Sequence, residues 1–498
     1  MSESLDQAEL KRRTLSSLFW KFLERGGVAV GALVVQIVLV RLLTPEDFGA
    51  LALMLVFVLI GTVFAVSGFN TALVQVKDLD EADFDTVFWI SCVVALTLWV
   101  VLFVAAPVVS EAFSLPRMTN PLRAMGALFL LNSFYAVLTA DVQRNLLFKR
   151  TFKAGLLALV AAGVTGIGSA LCGVGLWALV IYQLVNVSVA SLVLFAQTDW
   201  RPRFRFSLGR AKILFRFGWK LLVSGLLDTA YQSLADIIIG RQFSASSLGV
   251  VSQGKKFPQA VSSVLDGAIQ PVMLSAVARV QDDVAAAKSL VRRSLKTSSL
   301  VVVPLMTVMA VTADPLVCWL LGQKWAGAVI FFQMYCFIFA LWPIHTTNLS
   351  ALNGMGRSNL FLKLEIIKKI LGFSILCVTV FAFHSPVAIV AGFMLSGVVS
   401  TLINAFPNRT VIGYGYGEQV ADIAPVWALS LISGLTGLFF LEFLATFSFS
   451  PFLQVFLTGC VFFAAFVLLG IIFQCEALSY VLTNGVKLVR RLTCRRGK

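Results

Sequence analysis

The stretch "RLLTPEDFGALALMLVFVLIGTVF" (41–64) sets a cation, a proline, two acids and a glycine directly against an almost wholly apolar run. Elementary helix chemistry accounts for the junction. Thr44 suits an N-cap, because its hydroxyl can accept from an otherwise orphaned backbone N–H. Pro45 suits the first helical position, where no N–H is needed, and Glu46 and Asp47 favour the positive end of the helix dipole. The stretch therefore reads as a tight turn. Arg41 ends one apolar helix on the outer side, a second helix starts at once, and the turn itself lies outside any transport site.

The rest of the chain repeats that pattern. Of 498 residues, 58% are hydrophobic and 13% charged, with a mean hydropathy of +0.89. Soluble domains carry about 25% charged residues, so a water-filled surroundings is excluded for most of this surface. Apolar runs long enough to cross a bilayer recur about fourteen times, from 17–40 and 48–75 through 247–277 to 452–473. The class expected is an all-α polytopic membrane protein. The polar start "MSESLDQAELKRR" (1–13) lacks the pattern of a cleavable leader. Short joining loops leave no room for an embedded soluble catalytic domain.

Charge placement gives the orientation. With a cytoplasmic N-terminus, 33 of the 40 Lys and Arg fall inside, including "RPRFRFSLGRAK" (201–212) and the tail "RRLTCRRGK". Five fall outside (Arg41, Arg117, Arg123, Arg241, Lys324), and Lys255 and Lys256 fall within a span. This positive-inside bias places both termini in the cytoplasm. It also accounts for the net charge of +15 without nucleic acid. One inside loop, "KDLDEADFD" (77–85), is acidic, but acids weigh little in orientation.

A shift of 200 residues reveals a duplication. "IVLVRLLTPEDFGAL" (37–51) lies against "IIIGRQFSASSLGVV" (237–251), pairing Arg41 with Arg241 and Gly49 with Gly249. "AAPVV" (105–109) then matches "ADPLV" (313–317), and "QRNLLFK" (143–149) resembles "GRSNLFLK" (356–363). About six spans separate the copies, so both enter the membrane the same way round. The expected organisation is a six-helix lobe at 1–200 and a second at 201–406. Two additional helices follow at 407–473, then a basic tail at 474–498. Parallel repeats of this kind place a site between the lobes. The second turn has lost Pro-Glu-Asp and should be looser.

Polar residues that the two copies do not share mark candidate chemistry. Lys255, Gln259, Ser262, Asp266 and Gln270 recur at spacings of four, three, four and four, a polar stripe on one helix face. In lipid such a stripe is costly, so it should line a wet cavity; snorkelling of Lys255 and Lys256 is the structural alternative. Pro258 beside them should kink the helix. Lys21, Glu24 and Arg25 lie near the cytoplasmic end of the first span, where a helix-end anchor is the competing reading. Asp228, Gln232 and Asp236 recur at four-residue steps; buried carboxylates can carry Na⁺ or protons, or simply join helices. Asn70, Gln75, Asn132, Thr139, Asn348 and Asn353 could meet a sugar, although interhelical hydrogen bonding suits any single one better.

Other chemistries find no support. The eight cysteines are scattered without a C-x-x-C pair, so no metal or redox cofactor is expected. His345 and His384 lack a partner at catalytic spacing. "GVTGIGSALCGVG" (163–175) sits in a span and reads as small-residue helix packing, and "GYGYG" (413–417) as a flexible cytoplasmic turn.

"RLLTPEDFGALALMLVFVLIGTVFAVSGFNTALVQ", with "FDTVFWIS" and "AAPVV", resembles the first spans of bacterial polysaccharide and O-antigen (Wzx-like) flippases. These form the polysaccharide transporter branch of the multidrug/oligosaccharidyl-lipid/polysaccharide exporter superfamily. The resemblance implies translocation of undecaprenyl-diphosphate-linked oligosaccharide repeat units across the cytoplasmic (cell inner) membrane. The products would serve exopolysaccharide, capsule or lipopolysaccharide biosynthesis. It implies diphosphate-binding cations on the first and eighth helices, where Lys21, Arg25, Lys255 and Lys256 fall; the second helix offers none within its apolar stretch. Gln259, Ser262, Gln270, Asn70 and Asn132 become glycan-contact candidates. Asp228, Asp236 and Asp266 become ion-coupling candidates for a Na⁺ or H⁺ gradient. Membrane lipids, a polymerase and chain-length proteins are the expected partners, and the protein is expected not to be an enzyme. An ion-coupled multidrug or cation antiporter of the same superfamily should have an acidic or apolar cavity. A membrane polymerase or ligase should have a large outside loop with catalytic Arg or His.

Overall fold

In a computed structural model the chain is described over residues 24–75, 80–145, 147–447, 449–476 and 478–479. Thirteen helical segments among these residues are long and apolar enough to cross a membrane, and Gly26–Leu42 is a shorter apolar helix. The protein is an all-α polytopic membrane protein. Its first half carries α1 (Ala29–Leu42), α2 (Pro45–Gln75), α3 (Glu81–Ala112), α4 (Thr119–Met125), α5 (Ala127–Arg144), α6 (Phe148–Leu171), α7 (Leu176–Gln197) and α8 (Leu208–Gln242). Then come α9 (Ala245–Arg279), α10 (Val284–Val311), α11 (Ala313–Leu320), α12 (Ala328–Ala340), α13 (Trp342–Gly354) and α14 (Ser358–Phe383). The last elements are α15 (Pro386–Ala405), α16 (Asn408–Val411), α17 (Tyr416–Ala445) and α18 (Pro451–Ile472). Two compact units divide the chain at Ser252 and Gln253, inside α9.

The helices start where the sequence supplies caps. Thr44 and Asp47 exchange bonds: the Thr44 N–H and hydroxyl donate to Asp47 at 3.1 and 2.7 Å, and the Asp47 N–H donates back at 3.3 Å. Asp80 and Asp83 form the same reciprocal box at the head of α3. Asp283 caps α10, and Ser450 followed by Pro451 starts α18. Helix bodies are apolar on the outside: Val93, Val100, Val104 and Val108 of α3 are all exposed, as a lipid-facing flank should be.

The two turns of the sequence repeat carry matching bonds. Leu43 N–H donates to Leu39 at 2.9 Å, and Phe243 N–H to Ile239 at 3.1 Å. Ser244 takes the place of Thr44, accepting from the Ser247 N–H at 3.0 Å, so the second turn is capped despite losing Pro-Glu-Asp. Leu147 N–H reaches Val142, and 210 residues later Arg357 N–H reaches Leu352, both at 2.9 Å. The two repeat turns also meet. A Cβ added to Gly49 would lie 1.7 Å from the Ala245 carbonyl oxygen, and one added to Gly249 would lie 1.9 Å from that of Pro45. Only glycine permits this approach of the α2 and α9 N-termini. α8 packs along α2, with Gly240 against Leu53, so the compact unit that ends at Ser252 takes in α8, beyond the repeat boundary near 200.

The acidic loop finds its counter-charge in the basic one. Asp80 and Asp83 pair with Arg210, Glu81 with Arg203 at 3.0 Å, and the fully buried Asp85 accepts from the Trp200 indole and the Arg203 N–H at 3.2 Å each. The hydrogen bond from Arg210 holds the Asp80 carboxyl below the usual carboxylate range. Residues 80–85 and 200–210 therefore share one face of the membrane.

A second charged cluster fastens α17 to α10. Asp422, 6% exposed, takes a two-pronged grip from Arg292 at 2.6 and 2.8 Å, Lys296 at 3.1 Å and the Tyr414 hydroxyl at 2.7 Å. "GYGYG" is thus no flexible turn: Gly413 adopts φ +66°, which sends Tyr414 into the core, where burial and the bond to Asp422 push its hydroxyl pKa up. The glycine-rich 163–175 stretch packs as read, with Gly163 against Val35 and Gly166 against Tyr182.

Asp422→Ala should cost about 1–3 kcal/mol, because it leaves the buried Tyr414 hydroxyl without its acceptor. Glu81→Ala, removing a half-exposed pair, should cost under about 1 kcal/mol. Thermal unfolding in detergent separates the two, and equal losses would contradict the burial of Asp422. Gly49→Ala should lower stability by about 1–3 kcal/mol through overpacking; an unchanged melting temperature would contradict the close crossing.

Candidate functional site

α9 is where charge enters the membrane. Its capped start at Ala245 lies ten residues before Lys255, ~15 Å of helix, and Arg279 lies ~36 Å beyond. The hydrocarbon layer is only ~30 Å thick, so neither lysine stands at a helix end. An amine at the bilayer centre costs about 2.5–3.5 kcal/mol on insertion scales, and less nearer a helix end. Gly254 fixes the direction of its neighbours. A Cβ there would come within 2.8 Å of Phe331 and 3.0 Å of the Ala328 carbonyl oxygen, so α9 lies hard against α12. Lys255 is consequently half-buried, with its Nζ 5.9 Å from the centre of the Tyr335 ring, at the outer edge of cation–π range. Lys256 is exposed. α9 remains helical through Pro258.

The polar stripe keeps to one face but not to one depth. At ~100° per residue, its five side chains fall within an arc of ~80°. Ser262 is buried, and Asp266 is half-buried and accepts the Thr346 hydroxyl of α13. Gln259 and Gln270 remain exposed. Asp228 is exposed on α8 and accepts from the Gln232 amide at 2.7 Å, and Asp236, two turns on, is half-buried. Asn132 is half-buried on α5. Lys21 lies outside the described residues. Arg25 belongs to the π-helical turn Glu24–Val28, and Asn70 to α2, with their side chains outside the description. Lys255, Lys256, Gln259, Ser262, Asp266 and Gln270 thus share one helix, whereas Asp228 and Asp236 share another.

Some polar groups prove to be fasteners. Asn348, fully buried, donates to Ile344 at 2.9 Å and to Gln419 at 3.0 Å, and accepts from Asn408. His345 bonds Asn404 at 2.8 Å and Thr401 at 3.2 Å. Tyr335 beside Lys255, and Thr346, Thr347 and Ser298 near Asp266, carried no sequence signal. They sit 32 to 81 positions from their neighbours on α9, and no motif links them.

The family described as "Polysaccharide biosynthesis protein" matches residues 38–330. The chain belongs to that family. It is 26% identical over 309 residues to the succinoglycan biosynthesis transport protein ExoT of Rhizobium meliloti, covering 62% of this chain and 63% of that one. It is 21% identical over 429 residues to the lipopolysaccharide biosynthesis protein WzxC of Escherichia coli, covering 85% and 86%. Among solved structures, the lipid II flippase MurJ in an inward closed conformation superposes with a TM-score of 0.75 at 12% identity, over 93% of this chain and 99% of that one. An inward-facing multidrug resistance MATE transporter reaches 0.57 at 16% identity, over 78% and 95%. At these identities the two structures speak for the fold, which is that of membrane transporters.

Proposed function

We propose that the protein is a flippase. It carries undecaprenyl-diphosphate-linked oligosaccharide repeat units across the cytoplasmic membrane for exopolysaccharide, capsule or lipopolysaccharide synthesis. The observation that carries this reading is the pair Lys255–Lys256 at membrane depth on α9, in a chain whose family and relatives serve polysaccharide biosynthesis and transport. A lipid-linked diphosphate sugar brings two anionic phosphates, a polar glycan and a long apolar tail. Amines in a low-dielectric site bind phosphate strongly. Amides and hydroxyls such as Gln259, Gln270 and Asn132 suit the glycan, and the tail stays in lipid. Lys21 and Arg25 are proposed as further diphosphate ligands.

The mechanism is alternating access. The headgroup enters from the cytoplasmic side, the two repeat lobes rock, and the glycan leaves on the outer side. An ion gradient supplies the energy, with Asp228, Asp236 and Asp266 as candidate carriers. Both termini face the cytoplasm, and a polymerase and chain-length proteins take the product. The MATE-like fold keeps a cation antiporter as the second reading, but two amines in a span repel a cationic drug.

Changing Lys255 and Lys256 together to Ala should abolish polymer in cells while the protein stays in the membrane at wild-type level. Normal polymer in that double variant would remove the diphosphate site. Asp228→Asn should weaken transport driven by an imposed ion gradient in vesicles; unchanged gradient dependence would strike Asp228 from the carriers.

A further inference from the structure

A groove opens on the flank of α3, beside the segment 200–206 that leads into α8. Trp89, Ile90, Val93 and Val94 of α3 form one wall, and Phe204 and Phe206 form the other. The space between them is about 800 Å³, and every lining side chain is apolar. Trp89 and Val94 lie eight and thirteen residues from the start of α3, ~12 and ~20 Å along the helix. Both fall inside the candidate span Glu81–Ala112.

The second wall is held in place. Glu81, Asp85 and Trp89 recur at four-residue steps on one face of α3, and all three grip the segment. Glu81 pairs with Arg203, Asp85 accepts from the Trp200 indole and the Arg203 N–H, and the Trp89 indole donates to the Arg203 carbonyl at 2.9 Å. The Phe204 ring stacks on Trp89, with centroids 4.7 Å apart and planes 20° from parallel. Apolar surface is nevertheless left open: Val93, one turn beyond Trp89, is exposed, as are Phe204, Phe206, Leu208 and Ile213. A contiguous apolar patch of this kind is costly in water, and aromatic rings among arginines are the composition of a membrane interface. The charges of the segment fall into two groups. Arg203 and Arg210 are spent on Glu81, Asp80 and Asp83. Arg205, Lys212 and Arg216 are exposed and enter no ion pair among the described residues. Arg205 stands between the two phenylalanines of the wall, and Lys212 and Arg216 lie one turn apart on α8, before its candidate span begins at Leu222.

We infer that this groove binds one anionic phospholipid. An acyl chain lies between α3 and the two phenylalanines, and Arg205 takes the headgroup phosphate, with Lys212 and Arg216 adding to the positive field. An apolar groove alone would accept any acyl chain. Three cations without acidic partners select a headgroup of net negative charge, because guanidinium–phosphate bonds are charge-assisted and basic residues at an interface attract anionic lipid. A zwitterionic lipid offers the same chains without that charge. The bound lipid braces the segment that joins the two sequence repeats. Its role in transport rests on the flippase reading, whereas the binding itself does not require transport.

The test is native mass spectrometry of the purified full chain in detergent, titrated with dioleoyl-phosphatidylglycerol or with dioleoyl-phosphatidylcholine, which share their chains. Wild type should take up one phosphatidylglycerol at about tenfold lower concentration than one phosphatidylcholine. Changing Arg205, Lys212 and Arg216 together to Ala should erase that preference. Val93→Trp, which fills the groove, should weaken the uptake of both lipids about tenfold. Equal uptake of the two lipids by wild type overturns the inference, and so does phosphatidylglycerol uptake unchanged in both variants. Should Val93→Trp fail to fold, Phe206→Ser decides, since it removes an exposed part of the wall; undiminished uptake then counts against the groove. Undecaprenyl phosphate displacing phosphatidylglycerol at lower concentration would give the groove to a prenyl tail and overturn the phospholipid assignment. Because the readout is binding, a failure of the flippase reading would show in polymer assays and leave this result standing.

Discussion

A charge inside the hydrocarbon layer must have a partner, a wet surface or a purpose, and this protein is organised by that constraint. Asp422 has Arg292, Lys296 and Tyr414. At the membrane face, the acidic residues 80–85 are matched in the same way by Arg203, Arg210 and Trp200. Each cluster fastens an element that apolar packing alone would leave free to slide, since lipid chains compete equally well for an apolar helix face. Against this background Lys255 and Lys256 differ in kind. They lie within a candidate membrane span on a helix whose close contacts serve backbone approach, and the Lys255 amine lies 5.9 Å from the centre of the Tyr335 ring.

The glycines carry the complementary half of the design. Gly49 and Gly249, equivalent in the two repeats, let the first turns of α2 and α9 touch through backbone atoms. Gly254 does the same between α9 and α12 one turn later. α9 is thereby positioned at its start by two backbone contacts and further along by the Asp266–Thr346 bond. The helix that bears the lysines is thus fixed at both its start and its middle, as the proposed diphosphate site would require.

Most of the fold was legible because the signals are local. The apolar runs and the cap at Thr44 lie within short windows, and the structure reproduces both. The second turn keeps its cap because Ser244 and Ser247 occupy the places of Thr44 and Asp47, so the loss of Pro-Glu-Asp does not loosen it. The site was less legible, since partners such as Tyr335 for Lys255 and Thr346 for Asp266 come from distant helices. The polar stripe spans an arc of ~80°, but burial along it differs: Ser262 is buried and Asp266 half-buried, whereas Gln259 and Gln270 are exposed. "GYGYG" misled for a similar reason. Its glycines signal a turn, but only the fold reveals that the turn delivers Tyr414 to a buried carboxylate.

The central claim is that this chain moves a lipid-linked diphosphate sugar between leaflets. It is tested most directly by reconstituting the purified protein into vesicles loaded with undecaprenyl-diphosphate oligosaccharide and following the glycan's accessibility to an added glycosidase. The account predicts that glycan initially shielded in the inner leaflet becomes cleavable at a rate set by the amount of protein. Cleavage confined to the outer half, equal in protein-free vesicles, would contradict it.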